Sequence, residues 1–182
     1  ITVDKKNSLS FSGNFNRNEN NDVTYENETL ILPEATTNFS GFDANSVFQK
    51  NRTNGFANAQ WLHILNENGA SLSLEGNYIF TDSDQIQNLT STFFDSNQGI
   101  TGINRFRTNA DQEIDIYTAK LDYNGSIGNY SLSSGFKFSN VSSTSAQDFF
   151  DTTSSTTLDP GRSDLFLYDK TIFAGDAQLD RS

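Results

Sequence analysis

The sequence predicts an all-β chain of antiparallel, up-and-down strands, and three observations carry that expectation. Apolar and polar residues alternate in several segments, one version of a single strand recurs, and short turns alternate with long polar stretches. Successive strand side chains point to opposite faces, so this alternation gives each strand one apolar and one polar face.

The composition fits. Of 182 residues only 34% are hydrophobic, yet there are 16 Phe and 6 Tyr; disordered chains are poor in aromatics, so the low apolar share points to sheets with one wet face. There is no cysteine, hence no disulfide framework and no thiolate metal site. The net charge of −11 argues against nucleic acid as a partner, because a phosphate backbone is repelled. A run of about 18 apolar residues for a transmembrane helix is missing, which says nothing about membrane strands of roughly 9–11 alternating residues.

In chain order, residues 1–4 read as the end of a strand and 5–7 as a tight polar turn. Residues 8–16 alternate Leu9, Phe11, Gly13 and Phe15 against Ser10, Ser12, Asn14 and Asn16. A long polar stretch follows at 17–53, strand-like only at 29–32, with Pro33 ending that run. Residues 56–65 form the next strand, 66–70 a hairpin turn with Gly69, and 71–80 its partner. After a second polar stretch at 81–111 comes the clearest hairpin, 113–139, whose expected turn is 124–129. A third polar stretch spans 141–163, and 164–180 is a last long strand.

SLSFSGNF at 8–15, SLSLEGNY at 71–78 and SLSSGFKF at 131–138 are versions of one strand, each after a short turn and before a long polar stretch. Antiparallel pairing then gathers the short turns at one end and the long stretches at the other. That asymmetry is expected of a transmembrane β-barrel segment with short periplasmic turns and long extracellular loops. Phe15, Trp61, Tyr78, Tyr123 and Tyr130 would stand in its aromatic girdles. About six full strands plus the stub at 1–4 are fewer than the eight of the smallest bacterial barrels. Residues 1–182 are therefore expected to be part of the wall of a larger barrel in the bacterial outer membrane, cut from a longer chain. The competing reading is a soluble extracellular β-sandwich that binds glycan or a surface protein.

EIDIYTAKLDYNGSIGNYSLSSGFKFSNV at 113–141 and SDLFLYDKTIFAGDAQLD at 163–180 resemble the barrel region of Bacteroidota TonB-dependent receptor-like outer-membrane proteins. The family's Asp-Ile-Tyr-x-Ala-Lys-x-Asp-Tyr strand matches 115–123, its Gly-x-Lys-Phe/Tyr-Ser strand matches 135–139, and its Phe-x-Tyr-x-Glu-x-Ile-x-Ala strand matches 166–174. Lys170 replaces the usual acidic residue. The resemblance covers about residues 55–180. It implies a plugged barrel of roughly 22 strands that imports or binds a large solute at the cell surface, or an accessory barrel that has lost transport. Implied partners are outer-membrane lipid, the rest of the barrel, a plug domain that this chain does not contain, TonB, and surface lipoproteins.

No catalytic, cofactor or metal residue is assigned, and the chain is not expected to be an enzyme. His63, the single histidine, falls beside Trp61 near a turn and reads as interfacial. Asp82, Asp84 and Asp95 fall in one polar stretch and Asp148, Asp151 and Asp159 in another; they could offer oxygens to Ca²⁺ but lack EF-hand spacing, and a solvated acidic surface is the simpler reading. Glu75, Lys120, Asp122, Lys137 and Asp176 are placed on polar lumen faces, where cross-strand pairing is expected, and no spacing selects a glycosidase pair among them. Asn-x-Ser/Thr matches at Asn27, Asn38, Asn51, Asn88, Asn124, Asn129 and Asn140 read as chance in an Asn/Ser/Thr-rich chain. Ligand contacts are expected in the long outward loops, near the aromatics of 39–48, 93–106 and 149–158.

Overall fold

Alternation in the repeats and turn chemistry between them build one antiparallel sheet. The computed structural model describes residues 1–19, 22–31 and 40–181. β1 (Asn7–Asn18) and β2 (Val23–Ile31) lie end to end along β3 (Ser40–Ile64), with a one-residue shift in register between them. β4 (Ser71–Phe94), β5 (Ile100–Ile127), β6 (Tyr130–Asp151) and β8 (Asp164–Arg181) follow as neighbours, and the two-residue β7 (Thr157–Leu158) pairs with the end of β6. The sheet is open, with β1–β2 at one edge and β8 at the other.

The polar stretches expected as long loops are for the most part strand. β4 and β5 stay paired from Ser71↔Asn124 to Phe94↔Ile100, so 81–94 and 100–111 are ladder, and only 95–99 turn. Likewise 40–53 belongs to β3 and 141–151 to β6. The physical reason is that alternation reports a strand only when one face is apolar. Where both faces are polar or mixed the period-2 signal vanishes, while backbone pairing is unaffected. The reading of Leu32 and Pro33 falls outside the described residues.

The turns follow their sequences. Asp4 Oδ1 accepts the Lys6 and Asn7 amides at 2.7 and 2.8 Å in the first. Between β3 and β4 the Leu65 amide bonds the Ala70 carbonyl at 2.7 Å, and Gly69 supplies φ of 85°. The β5–β6 turn is tighter than 124–129: pairing persists to Ile127↔Tyr130, leaving Gly128 and Asn129, with Gly128 at φ 60°.

The register gives the sheet two faces, named here for Trp61 and Gln60. On the first, Leu9, Trp61, Leu74, Leu121 and Phe136 form one row, and Gly13, Ala57, Tyr78 and Tyr117 form another. The second carries Ser10, Gln60, Glu75, Lys120 and Lys137 opposite the first row. Gly55 marks a close approach on the Trp61 face: a Cβ there would lie 2.8 Å from both the Asn14 carbonyl and the Phe80 ring, and Phe15 and Phe80 meet at 6.3 Å beside it. The described residues form a single layer, with Ala70 the one buried hydrophobic side chain among them. A β-sandwich needs two packed sheets, so that alternative is not the observed architecture.

Gly128→Ala should lower stability by about 1–2 kcal/mol, because a Cβ opposes its positive φ. Gly76→Ala, with nothing within 4 Å of an added Cβ, should be near neutral. Urea unfolding of the two variants in lipid vesicles checks the contrast.

Candidate functional site

The apolar stripe of the Trp61 face has a defined height. It begins near His63, Leu72 and Tyr123 at the short-turn end and stops at the row Phe15, Gly55, Phe80, Asp115. On β4 this is residues 72–80, the roughly 9–11-residue length that crosses a bilayer as strand. Trp61 and His63 stack at 5.5 Å near the lower rim, and Asn7 Oδ1 lies 3.1 Å from Trp61 Nε1 and 2.8 Å from His63 Nδ1. Tyr78 and Tyr117 stack at 4.7 Å near the upper rim, where the Tyr78 hydroxyl donates to Asp115 at 2.6 Å. Phe15, Trp61, Tyr78, Tyr123 and Tyr130 all lie on this face.

Opposite the stripe, the Gln60 face is hydrogen-bonded. Asn58 donates to Glu75 at 3.1 Å and to Asn77 at 2.7 Å, Asn77 donates to Thr118 at 3.0 Å, and Lys120 pairs with Asp122 at 2.8 Å. Lys137 stands beside Lys120 in register, and Asp122 and Asp176 flank Gly135. A Cβ on Gly135 would lie 2.8 Å from the Asp176 carboxylate and 3.1 Å from that of Asp122, so glycine gives them room. The sequence reading of these five charges as one polar face therefore matches their register.

Above the Phe80 row the polarity of the sheet inverts. The Gln60 face turns apolar at the row Phe56, Ile79, Ile116, Val141. Further up it carries the ring pairs Tyr25–Phe48 at 5.6 Å, Phe42–Phe93 at 5.5 Å and Phe106–Phe149 at 5.3 Å. The Trp61 face becomes charged in the same region, with Asp82 opposite Glu113, Asp84 opposite Asp111, and Arg105, Arg107 and Asp148 beyond. From Ile79, Ile116 and Val141 upward, every charged residue of β4, β5 and β6 lies on the Trp61 face until Asp151 at the tip. Sequence reasoning missed this inversion because the polar stretches were read as loops; the parity of Phe42, Phe48, Phe93 and Phe106 within continuous strands was the available signal.

The acidic residues weighed as Ca²⁺ ligands lie on separate parts of the fold. Asp82 and Asp84 are on β4, while Asp95 Oδ1 caps its own turn, accepting the Asn97 and Gly99 amides at 2.9 and 2.8 Å. Asp151 Oδ1 accepts the Thr153 amide at 2.8 Å, and Asp159 Oδ1 accepts the Gly161 amide at 2.9 Å. Among the described residues no group of three or more His, Asp or Glu is placed to hold a metal ion. Residues 152–163 are instead a built tip: Arg105 N–H donates to Thr153 Oγ1 at 2.9 Å, Phe149 N–H to Ser163 Oγ at 3.0 Å, and the Arg162 guanidinium lies 4.9 Å from the centre of the Phe149 ring.

An open single-layer sheet with an apolar stripe of bilayer height backed by a satisfied polar face is the wall of a membrane-spanning barrel. Residues 63–182 match the outer membrane protein beta-barrel family, and the chain belongs to that family. It lies in the bacterial outer membrane, and the apolar stripe makes the lower Trp61 face the one suited to lipid. A search of curated proteins finds none that matches the chain.

Leu74 and Ile86 both lie on the Trp61 face of β4, within and above the stripe. Leu74→Arg should cost about 2–4 kcal/mol of folding free energy in bilayers and Ile86→Arg about 0–1, the depth dependence of a lipid-facing charge. Equal costs would place the bilayer boundary elsewhere.

The Thr153 amide holds the Asp151 carboxyl below its ordinary value. A depressed folded pKa favours the ordered tip while the carboxylate is ionised. That contribution is complete above about pH 5 and is lost as pH falls through the folded value. Amide exchange at Thr153 should accelerate over that acid window and not between pH 6 and 8.

Proposed function

We propose that this chain is a wall segment of a larger outer-membrane receptor of the TonB-dependent type, which binds or imports a large solute at the cell surface and carries no catalytic activity. The observation that carries the reading is the polarity inversion. Above the membrane the inward surface of β4, β5 and β6 bears rings, amides and hydroxyls, and below the tip their charges stand on the outward side, while Lys50 and Arg52 of β3 stand inward. A passive structural wall has no need of such segregation, whereas a receptor uses its inward surface to hold a ligand.

The open edges support the larger barrel. Among the described residues no strand pairs the outer side of β1 or β8. Unpaired backbone groups in lipid cost several kcal/mol each, so further strands are required to close the wall. A barrel of that size needs a plug to prevent leakage, and the polar ladder around Glu75, Lys120, Asp122 and Lys137 offers it a hydrogen-bonding surface. The match of 115–123, 135–139 and 166–174 to Bacteroidota receptor strands adds to the same reading.

Growth that the complete barrel supports on its solute should disappear when TonB is removed from the host. Growth that persists without TonB overturns energised import while leaving the membrane wall intact.

A further inference from the structure

We infer that Lys50 and Arg52, on the inward side of β3 just above the membrane, form a binding site for a multivalent anionic group, a phosphate or clustered carboxylates, of an incoming solute. The inference rests on the receptor reading and names the chemistry of one contact. Both side chains are exposed, and they stand two residues apart on one face of one strand. Among the described residues neither has an ion pair. Register surrounds them with neutral polar groups. Arg52 stands between Asn18 of β1 and Ser83 of β4, Lys50 stands beside Gln85, and Gln112 of β5 follows Ser83 across the sheet.

Three features select an anion. The first is the contrast with the polar ladder lower on the same face. There Lys120 and Lys137 share a surface with Glu75, Asp122 and Asp176, and Lys120 pairs with Asp122 at 2.8 Å. The wall balances its inward cations at membrane height and leaves Lys50 and Arg52 unbalanced above it. The second is that no neighbouring strand supplies a counter-charge. The inward positions of β4 from Ile79 to Phe93 and of β5 from Asn104 to Ile116 carry no ionisable group, and those of β1 and β2 alongside are Asn16, Asn18, Val23 and Tyr25. The carboxylates at this height, Asp82, Asp84, Asp111 and Glu113, stand on the outward side. Lys170 and Asp164 of β8 are also inward near this height, with three strands between. Two like charges at adjacent inward positions repel each other, and an arriving anion relieves that repulsion. The third feature is the donor inventory. The Arg52 fork can take two oxygens of one group and the Lys50 ammonium a third, while Ser83, Asn18 and Gln85 add neutral donors. Charge placed above the membrane on the inward side also steers an anionic solute toward the barrel mouth.

The test uses the complete barrel in detergent, with gel heat-modifiability confirming that it is folded, and isothermal titration with pyrophosphate and with citrate at low and high salt. At least one of the two anions should bind, which identifies the group, and binding should weaken as salt rises. Lys50→Gln and Arg52→Gln should each weaken it by about tenfold, while Arg107→Gln, an outward cation of β5, leaves it unchanged. Without added anion neither substitution at 50 or 52 should lower the thermal midpoint, because no partner is lost. A lowered midpoint in a barrel that binds neither anion means that a carboxylate of the protein, such as one on a plug, covers the pair, and it overturns the inference. A folded barrel that binds neither anion overturns it whatever the midpoint, and so does binding indifferent to both substitutions, which marks an adventitious ion only. Equilibrium binding needs no TonB, so failure here with TonB-dependent growth intact removes the anion site alone, and the reverse result removes the import reading alone.

Discussion

Every backbone amide that crosses a bilayer has to find its partner within the protein, because lipid offers none. The other features of this chain follow from that constraint. The ladders from β1 to β8 satisfy the amides of each inner strand on both sides, and strand is the element that runs the length of the described chain. Side chains are then free to serve the solvent on each side. Over bilayer height that means Leu, Phe, Ala and Tyr outward and Ser, Asn, Gln and paired charge inward. The hydrogen bonds among Asn58, Glu75, Asn77 and Thr118 keep the inward polar groups satisfied.

The same ladders continue beyond the bilayer, and there the solvent changes while the backbone does not. β5 runs for 28 residues, far more than lipid requires. Its outward side meets water above Asp115 and becomes charged; its inward side loses charge and gains rings. Inversion on one continuous strand shows that polarity here tracks the medium at each height. Continuous strands also carry a rigid surface out from the membrane, so ring pairs such as Phe42–Phe93 are held on scaffold and ordering them on binding costs little.

The bilayer-height half of the fold was legible in the sequence. Clean alternation in 8–16, 71–80, 113–139 and the end of 164–180 made visible the strands, faces and the placement of Glu75, Lys120, Asp122, Lys137 and Asp176, because one apolar face makes period 2 visible. Turn residues were legible too, although the pairing of Ile127 with Tyr130 shortened the last turn to Gly128 and Asn129. The upper half was not. In 81–94 the polar side chains alternate with Ile86, Leu89 and aromatic residues on both faces, and a pattern reader sees a loop. For the acidic residues, proximity in sequence carried no information about grouping: Asp82 lies within β4, Asp95 in the turn after it, and each tip carboxylate serves its own turn. No ligand residue was legible, because ring pairs such as Tyr25–Phe48 and Phe42–Phe93 exist only when separate strands are set in register.

The boundary at Phe80 and Asp115 is the central claim, and spin-label accessibility along β4 tests it most directly. The chain has no cysteine, so each introduced one is unique. Labels at 72, 74, 76, 78 and 80 should relax with dissolved oxygen, and those at 82, 84 and 86 with a water-soluble nickel chelate. Nickel accessibility at 74 and 76 equal to that at 84 and 86 would contradict the account.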